Sequence, residues 1–209
     1  MNDKRNEDIK FWDRVAKVYT IFTNLINGRV HKKLKRLIES KIDAEDKVLE
    51  CACGNGMLTK VIAKKCKEIV ATDASSKMLN VAKRKLRHFH NIEWKQESIL
   101  NISYADNTFD KVVAGNVIHL LDNPGEAVKE LVRVCAPNGK VIIPTYMNKS
   151  VDESEAFVKN LNSAGANFKQ YFSVDTYRDF FIKEGYSNVE IEYIEGKIAN
   201  AVAVFKKVE

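Results

Sequence analysis

Glu50, Gly54, Gly56 and Asp73 are the residues whose types and spacing could do chemistry. They lie in "LECACGNG" (49–56) and "VATD" (70–73). Glycines that follow a short apolar run and precede a helical pattern make a turn where backbone N–H groups and a helix start can cradle a phosphate. A dinucleotide turn needs three glycines, G-x-G-x-x-G, and the third place here is Thr59. That third glycine serves close helix–strand packing, so its loss weakens the dinucleotide reading. Glu50 weakens it again, because a carboxylate beside a pyrophosphate costs electrostatic energy. A ligand with positive charge would suit it better. Asp73 stands nineteen residues beyond Gly54, at the end of the next apolar run. A carboxylate there can accept hydrogen bonds from both hydroxyls of a ribose.

These residues describe a nucleoside site for a cationic ligand without phosphate. S-adenosylmethionine, with a sulfonium, an ammonium and no phosphate, has that chemistry.

The elements that must hold the site follow from the apolar pattern. Strands are expected at 47–52, 68–73, 92–98, 109–116 and 140–147. Helical spacing fills the gaps: Leu58, Val61, Ile62 and Cys66 share one face, and Met78, Leu79, Ala82 and Leu86 another. Ser75 or Ser76 would cap the second of these helices. Pro124 suits the first turn of a helix through Ala127, Val128, Leu131 and Val132, which stops at the turn signal "APNG" (136–139). Alternating helices and nearly continuous apolar strands mean a parallel sheet covered on both faces. The tail departs from this pattern. A helix at 177–185 ends at Gly185, and "NVEIEYIEG" and "NAVAVFKKV" follow with a short connection, which only an antiparallel hairpin can accommodate. The expected fold is α/β: a Rossmann-like, doubly wound, mostly parallel seven-stranded sheet with a C-terminal antiparallel hairpin and a helical cap.

One substantial α/β domain of 209 residues accommodates this. Residues 1–40 form an N-terminal helical cap, 41–147 the cofactor-binding core, 148–172 an inserted cap segment, and 173–209 the last helix and hairpin. Both caps are expected over the C-terminal edge of the sheet, where ligands bind in open α/β folds. No apolar run approaches the ~20 residues that span a bilayer, and the charged start "MNDKRNEDIK" has no signal-peptide core. A cytoplasmic protein is the default expectation. The four cysteines read as buried reduced thiols, with Cys51 and Cys53 on one side of the first strand and no second pair to complete a metal site. The net charge of +6 hints at anionic partners. Its lysines and arginines are scattered over amphipathic helices, which is the pattern of solvated outer faces. The basic helix 29–38 is also compatible with an anionic membrane surface.

With these residues in place, the sequence resembles the class I S-adenosylmethionine-dependent methyltransferases. The likeness rests on "VLECACGNG" (48–56), "ATDASSKML" (71–79), "NTFDKVVAGNVIHLL" (107–121) and "ELVRVCAPNGKVII" (130–143). "FWDRVAKVY" (11–19) is similar to the ubiquinone/menaquinone-biosynthesis branch of small-molecule methyltransferases. The resemblance implies S-adenosylmethionine as cofactor and S-adenosylhomocysteine as product. It implies that Glu50 holds the cofactor's amino group and that the backbone of Ala52, Gly54 and Gly56 passes its methionine moiety. Asp73 would bind the ribose hydroxyls, Ala74 and Met78 would line the adenine pocket, and Ser98 and Ile99 would flank the adenine edge. Asn116 would lie near the sulfonium, and Tyr19 would close over the cofactor. Two positions depart from the family: Ala52 replaces its usual glycine, and Ser98, with Glu97 beside it, replaces the acid after the third strand.

Methyl transfer is an in-line displacement that depends mainly on positioning, which can supply ~7–11 kcal/mol. A base is needed only where the acceptor must lose a proton; His119, Tyr19 and Tyr146 are candidates. "GNVIH" (115–119) stands where relatives that methylate nucleic-acid bases carry an Asn/Asp-Pro-Pro-aromatic motif, which argues against nucleic acid. A small-molecule acceptor under the cap is the expected substrate. A lipid, quinone-type or RNA acceptor, a non-catalytic S-adenosylmethionine-binding protein and a nicotinamide-dependent oxidoreductase are the alternatives.

Overall fold

The computed structural model describes residues 10–14, 19–147 and 169–208, with the backbone alone for 19–26. Seven strands form one sheet in the order β3-β2-β1-β4-β5-β7-β6. They are β1 (Lys47–Cys51), β2 (Glu68–Asp73), β3 (Ile92–Gln96), β4 (Phe109–Ala114), β5 (Cys135–Tyr146), β6 (Glu190–Ile194) and β7 (Asn200–Lys206). Strands β1 to β5 pair in parallel, and β7 pairs antiparallel with both β5 and β6. The order reverses beside β1, so the switch point falls between β1 and β4, at the strand that carries Glu50.

Successive side chains on a strand point to opposite faces, and the two cores follow from that rule. Val48, Val113 and Ile142 pack under α1 (Tyr19–Ser40) and α2 (Thr59–Ala63) through Leu34, Ile38 and Ile62. Leu49, Val112 and Ile143 pack on the other face against α4 (Pro124–Val134) and α5 (Val174–Lys183) through Val128, Leu131, Tyr177 and Phe181. Buried on both faces, the central strands β1, β4 and β5 are mostly apolar, which is why they were legible as continuous runs, whereas the outer strands β3 and β6 keep charged residues. Helix α3 (Ser76–Lys85) packs on β2 and β3, and Ser75 caps it by accepting the Met78 amide at 3.1 Å. Lys83, Arg84, Lys85 and Arg87, like Lys32, Lys33 and Arg36 on α1, point into solvent.

Three local expectations change. The helix expected over 57–67 is regular only across Thr59–Ala63. The helix from Pro124 stops before "APNG" as expected, but the strand expected from 140 begins at Cys135 and takes "APNG" inside β5: Asn138 takes a φ of 62° and the β4–β5 register shifts between Phe109 and Lys111. The turn chemistry is present, spent on an irregularity within the strand. Cys51 and Cys53 do not share a face. Cys51 packs beneath α4, whereas Cys53 packs with Ala71 and Leu79. Strand β1 ends at Cys51, and Ala52, with a φ of 53°, breaks the alternation. All four thiols are buried, and none forms a disulfide. Apart from 169–172, the inserted segment 148–172 lies outside the described residues, as does Phe168.

Candidate functional site

At the C-terminal edge of β1 the chain enters a turn with three left-handed residues, Ala52, Gly54 and Gly56, at φ of 53°, 54° and 81°. Gly56 also packs closely: a Cβ there would come within 2.9 Å of Leu86 Cδ1 and 3.2 Å of Ala82 Cβ on α3. Gly54 has open space around it, with nothing within 4 Å of such an atom. The neighbouring strand fixes the turn. Cys53 N–H donates to the Thr72 carbonyl at 2.9 Å, and Gly54 N–H donates to Asp73 Oδ2 at 2.8 Å. The other Asp73 oxygen accepts the Ser75 amide at 2.8 Å, so one carboxylate joins the glycine turn to the start of α3.

Carboxylates gather around this turn. Glu50, 1% exposed, lies below it, and its Oε2 has no hydrogen-bond partner among the described residues. Burial pushes its pKa up to about 8; Thr59 opposes the shift and Asp73 adds to it. Burial also raises Asp73, to about 6, against its two backbone hydrogen bonds, and Asp13 adds to the rise. Asp13 comes from the helical turn 10–14 and accepts the Ser75 hydroxyl at 2.5 Å. Beside it, Trp12 packs on Met78 and Val81 of α3. After β3, Glu97 turns inward: Oε1 accepts the Ser103 amide at 2.9 Å, and Oε2 is buried without a partner among the described residues.

The ends of β4, β5 and β7 carry a second, uncharged cluster. Asn116, at a φ of 54°, accepts the Asn200 side-chain amide at 2.7 Å; asparagine tolerates this left-handed backbone better than most residues. His119 is buried with Nδ1 2.8 Å from the Thr145 hydroxyl, and burial lowers its pKa to about 3. Tyr146 meets His119 edge-on, with ring centroids 5.5 Å apart, and its hydroxyl lies 3.4 Å from Nε2 of His31 on α1. The acidic cluster and the uncharged one thus sit on neighbouring strand ends, on either side of the switch point.

Known proteins carry the same elements. The family model described as "Methyltransferase domain" matches residues 49–143. A demethylmenaquinone methyltransferase of Lactobacillus johnsonii is 34% identical over 139 residues, 61% of this chain and 56% of that protein. The ubiquinone/menaquinone biosynthesis C-methyltransferase of Legionella pneumophila (strain Paris) is 29% identical over 150 residues, 68% of this chain and 60% of that one. Over residues 49–143 the chain is similar to methyltransferase domains. The N-methyltransferase NodS from Bradyrhizobium japonicum, solved with S-adenosylhomocysteine, has the same fold at a TM-score of 0.65 and 21% identity, with 86% of each chain covered. The chain spans about three-fifths of the length of the curated relatives it matches.

Within this structure the residues singled out from sequence fall into distinct places. Glu50, Ala52, Gly54, Gly56, Asp73 and Ala74 line one turn and the strand end beside it. Met78 is buried beneath Trp12, so the aromatic ring covers it. Ser98 accepts the Leu100 amide at 3.3 Å, and Ile99 is packed into the α4-side core. Asn116, His119 and Tyr146 join the uncharged cluster. Tyr19 opens α1, and its side chain lies outside the described residues. Sequence reasoning missed Asp13, His31 and Asn200. A lone histidine or asparagine carries no spacing signal, and each gains its meaning from a contact across more than sixty residues of chain.

Proposed function

We propose that this domain moves the methyl group of S-adenosylmethionine onto a small-molecule acceptor. The observation that carries the reading is the buried Glu50 carboxylate, with one oxygen unpartnered, beneath a glycine turn that Asp73 holds. A buried ionised carboxylate is costly without a partner, and an ammonium group supplies one. The residues fit the rest of the cofactor. Each Asp73 oxygen accepts one backbone amide and keeps capacity for a ribose hydroxyl. Open space over Gly54 lets a ligand approach the backbone. Glu97 Oε2 offers an acceptor for the adenine amino group, the role the sequence left between Glu97 and Ser98.

When bound, the cofactor supplies a methyl group already activated on sulfonium. The chain's own work is then to bind, orient and exclude water. A ring-type acceptor of the quinone branch is favoured by two features. The relatives are named for demethylmenaquinone and for ubiquinone/menaquinone biosynthesis. The described wall on that side, formed by Asn116, His119, Thr145, Tyr146 and His31, carries no carboxylate. No helix among the described residues is long and apolar enough to cross a membrane, and we assign the reaction to the cytoplasm. Isothermal titration tests the reading: S-adenosylhomocysteine binds and NAD does not. Binding of NAD alone would sink it.

A further inference from the structure

Helix α1 is broken at Asn27, whose φ of −129° and ψ of 20° are not helical. The break is pinned. Asn27 Nδ2 donates to the Ile198 carbonyl at 2.8 Å, and its Oδ1 accepts the Ile198 amide at 3.3 Å, in the turn between β6 and β7. Val30 fills the space a side chain at Gly196 would need, 1.9 Å from Val30 Cγ2. The next residue, His31, is thereby set against the end of β5. It is 2% exposed, its Nε2 is 3.4 Å from the Tyr146 hydroxyl, and its Nδ1 is buried without a hydrogen-bond partner among the described residues. Tyr146 is only partly buried, and its hydroxyl is the group that meets the imidazole.

We propose that Tyr146 and His31 form the proton station for the acceptor, with His31 a positioning residue that acts through the Tyr146 hydroxyl. This rests on the methyl-transfer reading of the site. An acceptor hydroxyl gives its proton to Tyr146 Oη as Tyr146 passes its own to Nε2 of His31. The electron pair freed on the acceptor forms the bond to the methyl carbon, and the pair of the broken carbon–sulfur bond stays on sulfur. His31 gains the positive charge that the sulfonium loses, and returns the proton through Tyr146 once product leaves. His119 is poorly suited to this role, because its Nδ1 is committed to Thr145.

Burial, with Lys35 one turn along α1, holds the His31 pKa below its ordinary value, so the ring is neutral and its lone pair available. Among the described residues packed around it, Tyr146 comes from β5 and Asn27 from α1. Lys60 of α2 and Glu195 and Lys197 of the β6–β7 turn point into solvent, and Glu192 of β6 is held by Lys41 at 2.5 Å.

The test uses the full chain loaded with S-adenosylhomocysteine and 1,4-dihydroxynaphthalene, kept reduced, as probe. Histidine NMR should show the His31 signal, assigned by its loss in His31→Gln, move on probe binding, with its pKa raised by half a unit or more. Tyr146→Phe should abolish that response. With methyl-labelled S-adenosylmethionine, His31→Gln keeps a hydrogen-bonding group at this position but no proton acceptor. It should lower kcat at least tenfold, flatten the acidic limb of the pH profile and leave the KM for cofactor unchanged. Probe binding that leaves His31 unmoved, no probe binding up to its solubility, or a His31→Gln pH profile like the parent's would each overturn the proposal. Failure of the parent protein to bind S-adenosylhomocysteine would instead overturn the methyltransferase reading.

Discussion

Asp73 Oδ2 accepts the Gly54 amide at 2.8 Å, so the acid that ends β2 also shapes the turn that leaves β1. One carboxylate serves the turn, the α3 N-terminus through Ser75, and the ribose position. Replacing it separates these roles. Asp73→Asn keeps one acceptor oxygen and loses the charge. A hydrogen bond to a charged group is worth ~1.5–3 kcal/mol, so S-adenosylhomocysteine affinity should fall roughly 10- to 150-fold. The thermal midpoint should drop by a few degrees only. Calorimetry and a melting curve read the two effects separately. An unchanged affinity would remove Asp73 from the binding site.

Glu50 sets the pH dependence. Its pKa rises on folding from 4.5 to about 8. A raised folded-state pKa contributes stability that is fully present below the unfolded value and lost as pH climbs through the folded one. Asp73, raised from 3.8 to about 6, acts in the same sense over a lower window. The ligand-free protein should therefore lose stability between pH 4 and 8. A cationic cofactor favours the ionised carboxylate, so its binding should tighten with rising pH and release protons below pH 8. Glu50→Gln should flatten both trends and weaken binding while the fold stays intact. Denaturant melts and titrations in buffers of different ionisation enthalpy across pH 5–9 check this. Cofactor binding without proton release at pH 6.5 would count against Glu50 as the ammonium partner.

Ala52 holds a φ of 53° with a Cβ in place. For an L-residue other than glycine or asparagine this region costs about 1–2 kcal/mol, and glycine gives back part of that gain through its looser unfolded chain. Ala52→Gly should raise stability by roughly 0.5–1 kcal/mol, seen as a higher denaturant midpoint at unchanged m-value. A lower midpoint would mean that the methyl group packs usefully enough to outweigh the strain.

The centre of the sheet was legible because its strands are buried on both faces and therefore read as apolar runs. Val48–Leu49, Val112–Val113 and Ile142–Ile143 each divide between the two cores. The hairpin was legible because its two runs are joined too closely to cross over. Glu50 and Asp73 were legible for a different reason: an acid at the end of an apolar run contradicts its surroundings. Glycine codes for turn shape locally, so Gly54 and Gly56 could be placed, and the likeness to one family fixed what they should hold. The side of the site around Tyr146 was opaque. The contacts of His31 with Tyr146 and of Asn116 with Asn200 cross 115 and 84 residues of chain. Asn27 and Gly28 look like an ordinary interruption in a helical pattern until the β6–β7 turn is folded against them. Long-range polar pairs carry no periodicity, and only packing reveals them.

Asn27 links that turn to the site and gives the last prediction. Its side chain makes two hydrogen bonds with the Ile198 backbone, and it is 3% exposed. Asn27→Ala leaves a part-buried amide and carbonyl of Ile198 without these partners, at about 1–3 kcal/mol per fully buried unsatisfied group. Their proximity to the surface lets water recover part of this, so a loss of roughly 2 kcal/mol is expected. The functional consequence is more selective. With the pin gone, the break in α1 no longer fixes His31 against Tyr146, whereas Glu50 and Asp73 belong to other elements. S-adenosylhomocysteine affinity should therefore stay within about threefold of the parent, under 1 kcal/mol. The His31 ring signals should broaden or move toward those of an exposed imidazole, and amide exchange should quicken in the first turns of α1. Equal losses of cofactor affinity and of His31 order would show that the two halves of the site are held by one element, and would refute this division.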